Sequence, residues 1–324
     1  MTPTRAQELA VLRSVIYASL FDYPLTLAQL RATLVEVSAD EVAVAAWWRN
    51  SEFLQAAIEQ RNGLYFPAGR ADLVDTRTRR EALSRDLLER DRGLIALVSR
   101  MPFVRMVAVS GSLAHLNAER SADLDLFVIT APHRVWSVTL SVLLIARLLG
   151  WRKRMCLNYV ISEAALPIAP HDLFSANQII HLRPIVGHDV FSRFIEANPF
   201  VRAFYPNFAG QQAIGSSGHQ AIRPSGHQAR RAFERVVNLG IAPLFEKAAR
   251  WIYGRHLARK SATWQSRDQV RLEAECLKLH TSSHRRETLT RYEAAVEAAI
   301  SSCDVGTVSC YQDTSALRFW QKQA

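Results

Sequence analysis

Two carboxylates one residue apart at the head of a hydrophobic run, Asp123-Leu-Asp125-Leu-Phe-Val-Ile-Thr130, constrain this chain more than any other feature. Residues i and i+2 of a pleated strand point to the same side, so both acids share one face while Leu124 enters the core behind them. Two anions held side by side repel, and a divalent cation shared with substrate phosphate oxygens relieves the repulsion. Upstream, Val104 to Val109 forms a short β-branched run that ends in Ser110-Gly111-Ser112. Gly111 permits close backbone approach, Ser112 offers a hydroxyl, and the amides opening the following short helix point free N–H groups at a phosphate. Val107 to Thr130 therefore reads as strand, turn, short helix and strand, with phosphate donors beside a metal-binding pair, the parts needed for in-line phosphoryl or nucleotidyl transfer. The plainer alternatives are a solvated strand end for the two acids and a helix N-cap for Ser112, a role compatible with phosphate binding.

Gly-Ser, ten intervening residues, then Asp-x-Asp followed by an apolar strand resembles the signature of the nucleotidyltransferase superfamily that includes DNA polymerase β. The detailed form, Gly-Ser-x-Ala and then Ser-Ala-Asp-Leu-Asp-Leu, is similar to the small bacterial nucleotidyltransferases. The motif covers about a fifteenth of the chain, and a looser resemblance runs from roughly residue 100 to 208 and over the segment before it. The resemblance implies an α/β (α+β) polymerase-beta-like core in which Ser110, Gly111 and Ser112 hold phosphates and Asp123 and Asp125 coordinate Mg²⁺ or Mn²⁺. His115 and Asn117 lie within reach of the turn and are candidates to touch the triphosphate, the plainer alternative being ordinary surface residues. The family's third carboxylate belongs on the strand after the apolar helix Val135 to Leu149, here Arg154 to Ser162. Asn158, which is neutral, stands at the expected place, and Glu163 just past the strand is the alternative.

Around this core the chain divides into five stretches. Residues 1–70 read as a winged-helix-like unit: helices near 4–20, 27–35 and 39–49, the second and third opened by Thr26-x-x-Gln29 and Ser38-x-x-Glu41 capping patterns, then a hairpin over Ile58 to Phe66 turning at Asn62-Gly63. Residues 71–100 alternate Arg with Asp and Glu over a leucine stripe and read as one solvated connecting helix. The catalytic domain is expected over 101–208. Residues 209–229, with the repeat Ser217-Gly-His-Gln-Ala221 and Ser225-Gly-His-Gln-Ala229, read as a flexible linker, and 230–324 as a helical C-terminal region with breaks near Tyr253-Gly254 and Ser261.

The net charge of +10 over 324 residues is uneven: residues 1–69 carry 5 Lys/Arg against 7 Asp/Glu, and 230–324 carry 16 against 10. The third helix of the winged-helix-like unit offers Asp40, Glu41, Trp47, Trp48 and one Arg49 where groove recognition needs a basic face, so duplex DNA is not the expected partner and packing against a neighbour is favoured. The longest apolar stretch, Val135 to Leu149, is short for a bilayer and reads as a core helix. Arg5, Glu8 and Arg13 interrupt any signal-peptide run, and four scattered cysteines fit a reducing cytoplasm.

Other candidate sites are weaker. His219 and His227 lack a neighbouring carboxylate or cysteine; Cys276, His280 and His284 would share one helical face at zinc-ligand spacing; and Arg152-Lys153-Arg154 reads as a solvated helix cap or an anion contact. The expected activity is Mg²⁺-dependent transfer of a nucleoside monophosphate from a nucleoside triphosphate to an acceptor hydroxyl, on a protein, an RNA end or a small molecule. A catalytically weakened nucleotide sensor and a winged-helix DNA-binding regulator are the alternatives.

Overall fold

The computed structural model describes residues 2–210, 227–238, 240–280 and 283–304. The N-terminal elements run α1 (Arg5–Ser19), β1 (Leu25–Thr26), α2 (Leu27–Ala32), α3 (Glu41–Arg49), α4 (Glu52–Ala57), β2 (Ile58–Arg61) and β3 (Leu64–Pro67), with the strands ordered β1-β3-β2. Capping chemistry sets the helix starts. Thr26 and Gln29 close the expected capping box over α2, and Thr4 and Gln7 form a second one over α1. The Ser38-x-x-Glu41 pattern does not cap α3. Asp40 takes that role by accepting from the Ala43 amide at 2.7 Å, because the Ser38 hydroxyl donates to Asn207. Trp47 is buried and the Trp48 indole donates to the Ile58 carbonyl at 3.1 Å, so both rings bind α3 to the hairpin.

The expected single connecting helix is two helices, α5 (Asp72–Arg90) and α6 (Arg92–Arg100), broken at Asp91. Asp91 is fully buried and its carboxylate takes Arg90 at 2.6 Å together with Arg154. Arg154, expected at a solvated cap, thus anchors the base of the sheet to the break between the helices. Asp91→Ala strips the acceptor from two guanidiniums that still reach solvent, and urea denaturation is expected to show a loss of about 3 kcal/mol; a loss below about 0.5 kcal/mol, typical of an exposed pair, would contradict this anchoring role.

Then follow β4 (Val104–Ser110), α7 (Gly111–Ala114), β5 (Leu124–Thr130), α8 (Val135–Leu148), β6 (Met155–Ser162), α9 (Leu173–Ile180), β7 (Arg183–Val186), α10 (His188–Glu196), α11 (Phe200–Phe204), α12 (His227–Asn238), α13 (Ile241–Lys260), β8 (Val270–Leu272), β9 (Cys276–Leu279) and α14 (Arg285–Asp304). Six strands form one mixed sheet ordered β7-β4-β5-β6-β9-β8, in which β5 and β6 are parallel and every other neighbouring pair antiparallel. The fold is therefore mixed α/β. No helix among the described residues is long and apolar enough to cross a membrane.

The C-terminal region corrects the sequence reading in three ways. Residues 270–279 supply two strands to the sheet where only helix was expected, α13 runs unbroken through Tyr253-Gly254, and α12 begins at His227, inside the expected linker. Cys276 accordingly sits on a strand and His280 just beyond it, so Cys276, His280 and His284 share no helical face; His284 is exposed and faces Glu287. His219, Thr281 and Ser282 lie outside the described residues, as does the side chain of His227.

Alternation along the strands divides the core. Leu124, Leu126 and Val128 pack on one side of the sheet with Trp136, Val142 and Ala249. Phe127 and Ile129 pack on the other with α9 to α11 and the N-terminal unit, whose Val11, Val15 and Ile16 belong to the same buried cluster. Polar contacts reinforce that shared core: the Arg13 guanidinium donates to the Tyr292 hydroxyl at 3.1 Å, and the Glu36 amide to the Phe204 carbonyl at 2.8 Å.

Candidate functional site

Strand β5 begins at Leu124, so Asp123 stands just before it; by alternation Asp125 points to the sheet face of Phe127 and Ile129, while Leu124 is fully buried on the opposite face. Asp125 pairs with Ser110 across β4 and β5, which brings its carboxylate against the turn. Gly111 has φ of +64°, and a Cβ built there would lie 2.4 Å from Asp125 Oδ2. Glycine is required twice over at this position, for a left-handed backbone and for the space that the carboxylate fills. Ser110, and not Ser112, is the residue preceding α7, and its side chain makes no capping bond; Ser112 lies within the first turn of that helix.

The residue of β6 in register with Asp125 is Cys156, and an irregularity in the pairing then brings Tyr159 opposite Phe127. The Cys156 thiol donates to Asp123 Oδ2 at 3.6 Å. Burial, and then the charges of Asp125 and Asp123, push its pKa up to about 11, so it stays protonated at neutral pH. Asn158 belongs to β6, but its side chain is outside the described residues. Glu163 is far from the pair: its amide donates to Thr130, five residues along β5 from Asp125 or about 17 Å at strand rise, and its carboxylate binds Arg105 and Arg193.

His115 and Asn117 are committed to the protein. The His115 ring stacks on His181 at 3.9 Å between centroids, and the Asn117 amide donates to the Phe21 carbonyl at 2.7 Å, tying the turn to the N-terminal unit. Burial pushes His181 and His280 down to about 4, and burial with the neighbouring His181 holds His115 well below the usual histidine range. The sign follows from proton linkage. Between about pH 6.5 and pH 4 the unfolded chain binds protons that these folded imidazoles refuse, so stability falls as pH falls through that window. Melting temperature is expected to drop steeply from pH 6.5 to 4.5, and less so in His181→Gln; identical profiles for the two proteins would refute the assignment.

Beside Asp125 opens a cleft of about 820 Å³, counted to its mouth and lined by Ser110, Gly111, Asp125, Tyr159, Lys278 and Arg285 among others. Lys278 comes from β9, which pairs with β6 at Tyr159, and burial lowers its pKa. Arg285 pairs with Asp172 at the start of α9. Neither cation was singled out in the sequence reading; the only local signal for β9 is the apolar alternation of Cys276-Leu-Lys-Leu279, embedded in a charged, helix-like region. Among the described residues no cluster of three or more His, Cys, Asp or Glu is arranged to hold a metal. The two carboxylates nevertheless suit Mg²⁺, a hard cation that takes one or two acids and fills its remaining positions with water and phosphate oxygens.

No family model matches the chain, and no curated protein or solved structure matches it either.

Proposed function

We propose that this chain is a Mg²⁺-dependent nucleotidyltransferase that moves a nucleoside monophosphate from a nucleoside triphosphate to an acceptor hydroxyl. The observation that supports the reading is the seating of the Asp125 carboxylate against Gly111, beside Ser110 at the edge of an open cleft. Asp123 and Asp125 would hold Mg²⁺, which when bound supplies positive charge to the transferring phosphoryl group and its pyrophosphate leaving group. The Gly111–Ser112 backbone and hydroxyl position the phosphates, and Lys278 across the cleft adds a cation for an anionic substrate. Incubation with each labelled triphosphate, Mg²⁺ and cell extract tests the reading: labelling that survives unchanged in Asp125→Asn would rule this site out.

The register of β6 favours a second reading, a nucleotide sensor with little turnover. Opposite Asp125 stands Cys156, a thiol bonded to Asp123 and not a third carboxylate, and Glu163 lies five residues away along the strand. Cys156→Asp discriminates between the two. If the missing base limits turnover, the variant is expected to label acceptor about a hundredfold faster than wild type, and its third anion makes it less stable in chelator than in Mg²⁺. Unchanged turnover with that metal-dependent stability would favour the sensor.

A further inference from the structure

A second chamber, of about 750 Å³ counted to its mouth, lies on the other side of the Gly111–Ser112 turn, between that turn, α1 and α9. It shares Gly111 and Gln178 with the cleft that holds Asp125, so the two spaces meet at the turn. Their chemistry differs. The cleft carries Asp125, Lys278 and Arg285, whereas no Asp, Glu, Lys or Arg lines the chamber. Its walls include the rings of Tyr17, Phe21, Tyr23, His115 and His181, and Phe21 stays 39% exposed.

The polar groups of the chamber have defined roles. His181 Nδ1 lies 2.8 Å from the Asn177 carbonyl, which only accepts, so Nδ1 carries the proton and Nε2 of the neutral ring is an acceptor. Gln178 adds an amide that both donates and accepts. An uncharged space with aromatic walls and both bonding polarities suits a flat neutral ring with donors and acceptors on its edge. Such a ring, joined to a polyanion that must sit on the intervening turn, is a nucleobase.

We propose that this chamber binds the base of the triphosphate, so that the N-terminal unit, through α1 and Phe21, selects the nucleotide. The proposal rests on the nucleotidyl-transfer reading for the identity of the polyanion, and its test separates the two. Adenosine, guanosine, cytidine and uridine, which carry no phosphate, are titrated by calorimetry into the full chain and into Phe21→Ala, Ala18→Trp and Asp125→Asn, each checked for native circular dichroism. Ala18 lines the chamber, so tryptophan there fills it. At least one nucleoside is expected to bind, about tenfold more weakly to Phe21→Ala, undetectably to Ala18→Trp and unchanged to Asp125→Asn. Magnesium tripolyphosphate is expected to show the converse, binding Ala18→Trp like wild type and weakening in Asp125→Asn. Absence of nucleoside binding, or binding indifferent to both chamber variants, overturns the proposal. Chamber-dependent nucleoside binding without any tripolyphosphate binding would support the chamber and remove the transfer reading.

Discussion

Replacing Gly111 with alanine is expected to cut nucleotidyl transfer by at least about a hundredfold, the loss typical of displacing a reacting group by about 1 Å. Two separate physical effects produce it. An L-residue at φ of +64° costs roughly 1–2 kcal/mol, and the added methyl would stand 2.4 Å from Asp125 Oδ2 and 3.2 Å from its Cγ. Asp125 lies on a strand held between β4 and β6, so its short side chain yields only by swinging off the turn or by moving the turn itself. Gly63 gives the control: φ there is +76°, and nothing lies within 4 Å of the point where a Cβ would stand. Gly63→Ala is expected to lose about 1 kcal/mol of stability and no activity. Equal activity loss in the two variants, measured beside their urea midpoints, would show that backbone strain alone accounts for the effect and that the contact with Asp125 does not matter.

Asp125→Asn is expected to lower the transfer rate by about a thousandfold, the equivalent of roughly 4 kcal/mol of lost transition-state stabilisation. The change is nearly isosteric and removes charge without opening a cavity. Because it also removes one member of a like-charged pair, the variant is expected to melt at the same temperature as wild type or higher in chelator, and to lose the stabilisation that Mg²⁺ and triphosphate give the wild type. Lost activity together with undiminished stability separates a functional carboxylate from a structural one. Glu163→Gln supplies the contrast: its carboxylate binds Arg105 and Arg193 at the far end of β5, and its loss is expected to leave the transfer rate unchanged.

The turn and the acid pair were legible in the sequence because their geometry is local. Strand alternation alone points Asp125 away from the Leu124 side of the sheet, and a glycine between two serines marks the bend that its carboxylate meets. The elements that escaped notice depend on distant partners. Helices α5 and α6 break at Asp91 because its carboxylate meets Arg154, 63 residues away. Helix α3 starts at Asp40 because Asn207 claims Ser38. Strands β8 and β9 are only three and four residues long and lie among charged residues, so the pairing of β9 with β6 and of β8 with β9 decides a conformation that local propensity leaves open. Past the pair of Cys156 with Asp125, a pairing irregularity that no residue pattern announces brings Tyr159 opposite Phe127. The chamber is assembled from residues near 14–35, 111–117 and 177–205, and exists only once the N-terminal unit shares a core with the sheet.

The proposed transfer requires Asp123 and Asp125 to share one divalent ion with a polyphosphate on the Gly111 turn. Electron paramagnetic resonance of Mn²⁺, titrated into the protein with a non-hydrolysable triphosphate, reads that shared ion without reference to any acceptor. One tightly held Mn²⁺ per chain is expected, with resolved coupling to phosphorus, dependent on the nucleotide and lost in Asp125→Asn. Equal Mn²⁺ binding by the variant, or bound Mn²⁺ without phosphorus coupling, would show that the acid pair and the turn do not act on one ion.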